Sequence, residues 1–200
     1  MMRRMTELCA VAGMVLGSCV GLSAEQAGAT SAGSGAAPQA TEAKRSPGAG
    51  PLIVFETVKG SFTMETYPNE APKTVEHILA LVRRNFYNGL RVHRVVPGFV
   101  VQFGDPLTRD ATQKDRWGTG GSGRAIGVSE VNPKRTHVLG AVAAAYPQGD
   151  ARQADSQIYI TLAPQHRLDP QYTVLGQVIS GMDVVQKLQV NDVIRRATVK

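Results

Sequence analysis

The chain is 200 residues long, 42% hydrophobic and basic, with 22 Lys and Arg against 16 Asp and Glu for a formal net charge of +6. That length fits one domain with an extension, and both cysteines, Cys9 and Cys19, lie near the N terminus, so the remainder has no disulfide, thiol nucleophile or cysteine metal ligand. The charge is dispersed in short pairs such as Arg83-Arg84, Lys134-Arg135 and Arg195-Arg196, without the basic run interleaved with aromatic residues that single-strand binders use, which speaks against nucleic acid as a partner.

Residues 1–24 read as an export signal. Met1-Met2-Arg3-Arg4 precedes an apolar run from Leu8 to Leu22 that is too short and too Gly-rich for a membrane span. Two endings fit. Leu16-Gly17-Ser18-Cys19 resembles a bacterial lipobox, with Cys19 as the lipidated first residue and a membrane anchor, whereas Leu22-Ser23-Ala24 fits an ordinary small-residue cleavage site. Met5-Thr6-Glu7-Leu8 does not support a twin-arginine signal. Either ending places the protein in the periplasm or cell envelope. Residues 25–50 are rich in Ala, Gly, Ser and Pro with almost no bulky apolar side chain, so they are expected to form a flexible tether.

Residues 51–200 read as one folded domain. Leu52 to Thr57 and Ser61 to Thr66 alternate as a hairpin with Lys59-Gly60 at its turn. Pro72, Thr74, Val75, Ile78, Leu79 and Val82 then recur at helical spacing, which predicts an amphipathic helix from about Pro72 to Arg84. In the stretch from Arg91 to Pro106, Pro97-Gly98 supplies a tight reversal between two short strands. Alternation after the turn puts Val100, Gln102 and Gly104 on one face and Phe99, Val101 and Phe103 on the other. Asp105 to Ala125 and Tyr146 to Ala154 read as long loops, and in a compact domain such loops usually serve function. Gly118 to Gly123 is superficially a phosphate loop, but it lacks the Gly-Lys-Ser/Thr ending and the strand-before, helix-after context. After Ser180, Met182, Val185 and Leu188 predict a second helix. Many short strands with two helices predict a mainly β fold, a closed antiparallel barrel capped at its ends.

Several separated motifs resemble, in order, the cyclophilin family of peptidyl-prolyl cis-trans isomerases in its bacterial form. They are APKTVEHILALVRRNFYNGLRVHRVVPGF from Ala71, the glycines around Gly118 to Gly121, LGAVAAA from Leu139, DSQIYI from Asp155 and LDPQYTVLGQVISGMDVV from Leu168. The resemblance covers Leu52 to Val199. It implies a closed eight-stranded antiparallel β-barrel capped by two α-helices, with the site on its outside wall. It also implies rotation of X-Pro bonds in proline-containing polypeptides, with no cofactor, no metal and no covalent intermediate. Nothing in the sequence calls for a dimer, so a monomer is expected.

Rotation about an X-Pro bond must overcome a barrier of about 18–20 kcal/mol that comes from amide resonance. No bond is made or broken, so a catalyst needs neither nucleophile nor metal; it must hold the ring, grip the preceding carbonyl and weaken the resonance. Arg94 falls on the family's catalytic arginine. Its guanidinium is always charged and presents a rigid fork of donors, so it can donate to the prolyl nitrogen as that atom becomes pyramidal. Such a bond is best made in the twisted state, which is what accelerates a reaction. Gln102 and Gln157 match the family's two amide positions, one orienting Arg94 and the other contacting the substrate backbone.

Phe99, Val100, Tyr159 and Leu168 match the family's proline pocket. Alternation independently puts Gln157 and Tyr159 together, with Ile158 and Ile160 toward the core, but it points Phe99 the other way. Ala145 and Tyr146 match substrate-contact positions, Tyr146 mainly through its backbone, while Ala143 and Ala144 leave room for a peptide along the strand. The chain departs from the family at Val100 for a methionine, Tyr159 for a phenylalanine, Tyr146 for an asparagine, Arg167 for a tryptophan and Tyr172, a further substrate-binding position, for a histidine. The pocket should stay apolar while its rim changes, and without the indole at Arg167 cyclosporin should bind weakly.

No rival site emerges. His77, His93, His137 and His166 lack metal-ligand spacing and are expected as surface or packed residues, and Ser122 and Ser156 lack a nucleophile-elbow context. The alternative function is a chaperone or scaffold module that holds proline segments with little turnover. Arg94 separates the two, because a pure binder needs no donor that weakens amide resonance.

Overall fold

The computed structural model describes residues 50–147 and 149–200. The export signal, Cys19 and all of the 25–50 tether except Gly50 lie outside the described residues. β1 (Leu52–Thr57) and β2 (Gly60–Thr66) form the first hairpin, with Phe55 opposite Phe62 and Gly60 at φ +129° where the chain reverses. α1 spans Pro72–Arg83 and buries Val75, Ile78, Leu79 and Val82. β3 (Arg94–Val96) and β4 (Val100–Phe103) make the second hairpin, followed by β5 (Ala141–Ala144), β6 (Ile158–Thr161) and β7 (Val174–Ser180). α2 (Met182–Lys187) and β8 (Ile194–Val199) complete the described chain.

The eight strands form one antiparallel sheet in the order β3-β4-β6-β5-β7-β2-β1-β8. It is an open, curled half-barrel and not the closed barrel expected. β3 and β8 are its edges and share no ladder; the segments leading into them meet at an isolated bridge, Arg91 with Val193. Asn191, at φ +81°, turns the chain just before that bridge, and β3 is only three residues long, so pairing does not propagate along it.

The pleat sorts side chains onto two faces. On the concave face Phe55 stacks on Phe62 with ring centroids 5.1 Å apart and meets Phe103 and Tyr87 edge-on at 5.4 and 5.8 Å. The apolar face of α1 and Val185 of α2 close over this cluster. Burial pushes the Tyr87 phenol up, and its hydroxyl donates to the Ser156 carbonyl at 2.8 Å. On the opposite face a smaller cluster forms from Tyr67, Val100, Ala141, Ala143, Tyr159 and Val174.

From Gly104 to Gly140 the chain forms no strand, only two short 3-10 turns at Pro106–Arg109 and Ala111–Arg116, so the first long loop extends well beyond Ala125. This segment supplies what α1 lacks. Ala71 at the helix N-cap has no acceptor side chain, and Glu130 takes its place, accepting from the backbone N–H of Lys73 at 3.0 Å and of Thr74 at 2.8 Å, and from the Thr74 hydroxyl at 2.7 Å. Glu130→Ala is expected to lower stability by about 1–2 kcal/mol, the worth of a lost cap. An unchanged urea midpoint would show that water replaces the carboxylate.

Candidate active site

β3 and β4 pair Arg94 directly opposite Gln102, so both side chains leave the same face of the sheet. The Arg94 guanidinium donates to Gln102 Oε1 at 3.4 Å, Gln102 Nε2 donates to Gln157 Oε1 at 2.9 Å, and Gln157 Nε2 donates to the carbonyls of Gly118 and Gly120, each at 2.8 Å. A run of amides therefore ties the arginine to the glycine loop. Of the two glutamines, Gln102 is the one that bonds Arg94. Gln157 spends its donors on the loop and faces a second groove, leaving its carbonyl oxygen for the other glutamine.

Beside Arg94 lies a cavity of about 150 Å³, of the size that holds a benzene-like ring. Val100 and Tyr159, both buried, form its floor, Phe99 and Leu168 its walls, and Ala145, Tyr146 and Tyr172 its rim, with Arg94 and Gln102 at the open side. The expected pocket residues thus come together. A groove of about 470 Å³ adjoins it, lined by Gln157, the glycines Gly118, Gly120 and Gly121, Pro147, Gln153 and Asp155.

Phe99 corrects the strand pattern. Alternation assigned it to the core, yet its ring packs on the outer cluster with Val100, Leu168 and Tyr172. β4 begins only at Val100, and Phe99 belongs to the turn, where its N–H bonds the Val96 carbonyl at 2.9 Å; the period of two does not reach it. Two guanidiniums lie over that ring, Arg94 at 5.5 Å and Arg167 at 4.9 Å from its centroid.

Two other expectations change. β5 is paired on one side with β6 and on the other with β7, and Ala143 and Ala144 are buried, so no peptide can run along it; only Ala145 opens onto the groove. Tyr146 contributes more than backbone: its hydroxyl donates to the Gln171 carbonyl at 2.9 Å, and its ring lies 4.6 Å from that of Tyr172.

The glycine loop is held by carboxylates. Gly118 and Gly120 direct their N–H groups to Asp105 at 2.5 and 3.2 Å, and Gly123 and Ser122 bond Asp155, which also meets His77 at 3.0 Å. These donors are engaged by the protein's own carboxylates. His93, next to Arg94, lies against Gly118, and burial above all pushes its pKa down while Asp105 pulls the other way. His166 is exposed and paired with Asp169. His137 is fully buried behind Tyr159, and Asp169 beside it received no role from the sequence; their separation along the chain from Tyr159 carries no motif.

The arrangement sets a ring-sized, largely apolar cavity beside an exposed guanidinium that is bonded to Gln102. The family model described as cyclophilin type peptidyl-prolyl cis-trans isomerase/CLD matches residues 52–200. A peptidyl-prolyl cis-trans isomerase-like 1 from Aspergillus niger is 39% identical over 140 residues, covering 68% of this chain and 80% of the relative. A peptidyl-prolyl cis-trans isomerase from Arabidopsis thaliana is 36% identical over 148 residues, covering 72% and 84%. The crystal structure of a cyclophilin type isomerase from Cryptosporidium parvum in the presence of the dipeptide Ala-Pro shares the fold. Its TM-score is 0.65 at 22% identity, over 74% of this chain and 98% of that one. The chain belongs to the cyclophilin-type peptidyl-prolyl cis-trans isomerase family.

Proposed function

We propose that this chain speeds X-Pro rotation in exported polypeptides, in the periplasm or envelope of a bacterium, with Arg94 as the catalytic donor and without cofactor or covalent intermediate. The observation that carries the site is the ring-sized pocket with Arg94 at its lip, bonded to Gln102. The proline ring rests on Val100 and Tyr159 between Phe99 and Leu168, and Ala145, Tyr146 and Tyr172 bound the entry for the flanking chain. Arg94, braced by Gln102 and by the Phe99 ring, donates to the prolyl nitrogen as its lone pair localises. No proton changes hands, and the guanidinium keeps its charge throughout. A cyclophilin type relative crystallised in the presence of Ala-Pro supports a proline-containing substrate. The test is exchange NMR on an Ala-Pro peptide, wild type against Arg94→Ala.

Export rests on the basic start, the apolar run from Leu8 to Leu22 and the lipobox-like Leu16-Gly17-Ser18-Cys19. A lipidated Cys19 would tether the isomerase to a membrane, as a monomer, through residues 25–50. Labelling cells with a lipid precursor should mark the wild-type protein and leave Cys19→Ser unmarked. An unlabelled wild type would leave cleavage after Ala24 as the surviving route.

A further inference from the structure

Tyr159 forms part of the pocket floor, and its hydroxyl is engaged behind it. That oxygen lies 2.8 Å from Nε2 of His137, whose side chain is fully buried. The other ring nitrogen, Nδ1, lies 2.7 Å from Asp169 Oδ1, and the same oxygen accepts from the backbone N–H of His137 at 2.7 Å. The His137 carbonyl in turn accepts from the N–H of Gln165 at 2.7 Å. Gln165 and Asp169 bracket the 3-10 turn His166–Leu168, which carries Leu168 into the pocket. One buried imidazole residue therefore pins two pocket surfaces, Tyr159 from β6 and Leu168 from the turn.

The proton positions follow from the partners. An ionised carboxylate only accepts, so Nδ1 carries the hydrogen; in the neutral ring Nε2 then accepts, and the phenol O–H donates to it. The hydroxyl hydrogen is turned away from the pocket. A proton on Nε2 reverses that bond: the phenol oxygen must accept from the imidazolium and its own hydrogen must seek another acceptor, which a proline ring does not offer.

We propose that His137 is a positioning residue for the proline pocket: neutral, it holds Tyr159 and the Leu168 turn in the ring-binding arrangement, and on gaining a proton it weakens the hold on proline. The inference rests on the reading of this cavity as the proline site. The groups that face the pair are Asp169 and His166 from the turn, and Tyr172 and Tyr146 beyond the Tyr159 ring. Burial is the largest influence on His137 and pushes its pKa down; the bond and charge of Asp169 pull upward, and His166 pushes down. In the unfolded chain the imidazole binds a proton more readily than in the fold, so this contribution to folded stability is present above the ordinary imidazole value of about 6.5 and is lost as pH falls below it.

The experiment titrates an acetylated, amidated Ala-Ala-Pro-Ala peptide, which has no ionisable group, against the wild type and Tyr159→Phe. Affinity is read by NMR shift perturbation and turnover by exchange. On acidification from about pH 8, wild-type affinity is expected to weaken once the pH lies below the ordinary imidazole value, by up to about five-fold, the worth of one hydrogen bond, while Tyr159→Phe, which keeps the ring and lacks the hydroxyl, stays nearly flat. An equal acid limb in both proteins would overturn the proposal and assign the effect to a group other than the Tyr159–His137 pair. The ¹⁵N shifts of His137 at about pH 8 should show Nδ1 protonated and Nε2 bare, and the opposite tautomer would also overturn it. A wild type that binds the peptide with this pH dependence but never turns it over would sink the catalytic reading while upholding the role of His137.

Discussion

Arg94→Ala is expected to lower kcat on an Ala-Pro peptide by about a hundred- to a thousand-fold, the loss seen when a preorganised transition-state donor is removed. Peptide affinity should change far less, because the residues proposed to hold the ring, Val100, Tyr159, Phe99 and Leu168, are all kept by the substitution. Arg94 is solvent-exposed, so the variant should melt with the wild type. Arg94→Lys should recover only part of the rate: the ammonium restores the charge but not the planar fork that lets one nitrogen bond Gln102 while another reaches the substrate. The uncatalysed event takes tens of seconds, so exchange spectroscopy sees a catalyst as a sharp gain over background. A wild-type rate equal to that of Arg94→Ala would reduce the site to a proline-binding module.

Phe103→Ala should have the largest effect on stability. The ring is fully buried and meets Phe55, Phe62 and Tyr87 edge-on at 5.4, 6.5 and 6.2 Å. Emptying it is expected to cost about 3–5 kcal/mol, a large share of the roughly 5–15 kcal/mol that holds a domain together. The neighbouring residue in β4 is Gln102, whose partner contacts depend on how β4 lies against β6. Where the variant remains folded, KM should therefore rise, with Phe103→Leu close to wild type in both urea midpoint and KM.

Much of this was legible in the residues themselves. The switch from a period of two in Leu52–Thr66 to helical spacing after Pro72 marked β1, β2 and α1, because each element buries one continuous face. Ile158 and Ile160 inward with Tyr159 outward followed from alternation alone. Closure did not follow, since counting strands says nothing about whether the two edge strands pair. Phe99 required the turn to be seen, for a residue outside the ladder escapes its period. The cap supplied by Glu130 and the bonds from His137 and Asp169 to the pocket join residues far apart in the chain, by contacts that no local pattern encodes.

An open sheet leaves two edge strands, and wherever their backbone groups stay unpaired an extended chain that drifts past can add itself as one more strand. The proposed clients of this protein are such chains. In β8, residues 88–90 already bond Ile194 and the N–H of Ala197. One edge here, β3, is three residues long, carries the exposed Arg94 and runs into Pro97; the other, β8, carries the exposed Arg195 and Arg196. Charge, brevity and proline discourage strand addition at both ends. The segment that presents the proposed catalytic cation is therefore also one that discourages strand addition, which fits a protein that would engage clients through a proline ring rather than through its sheet edges.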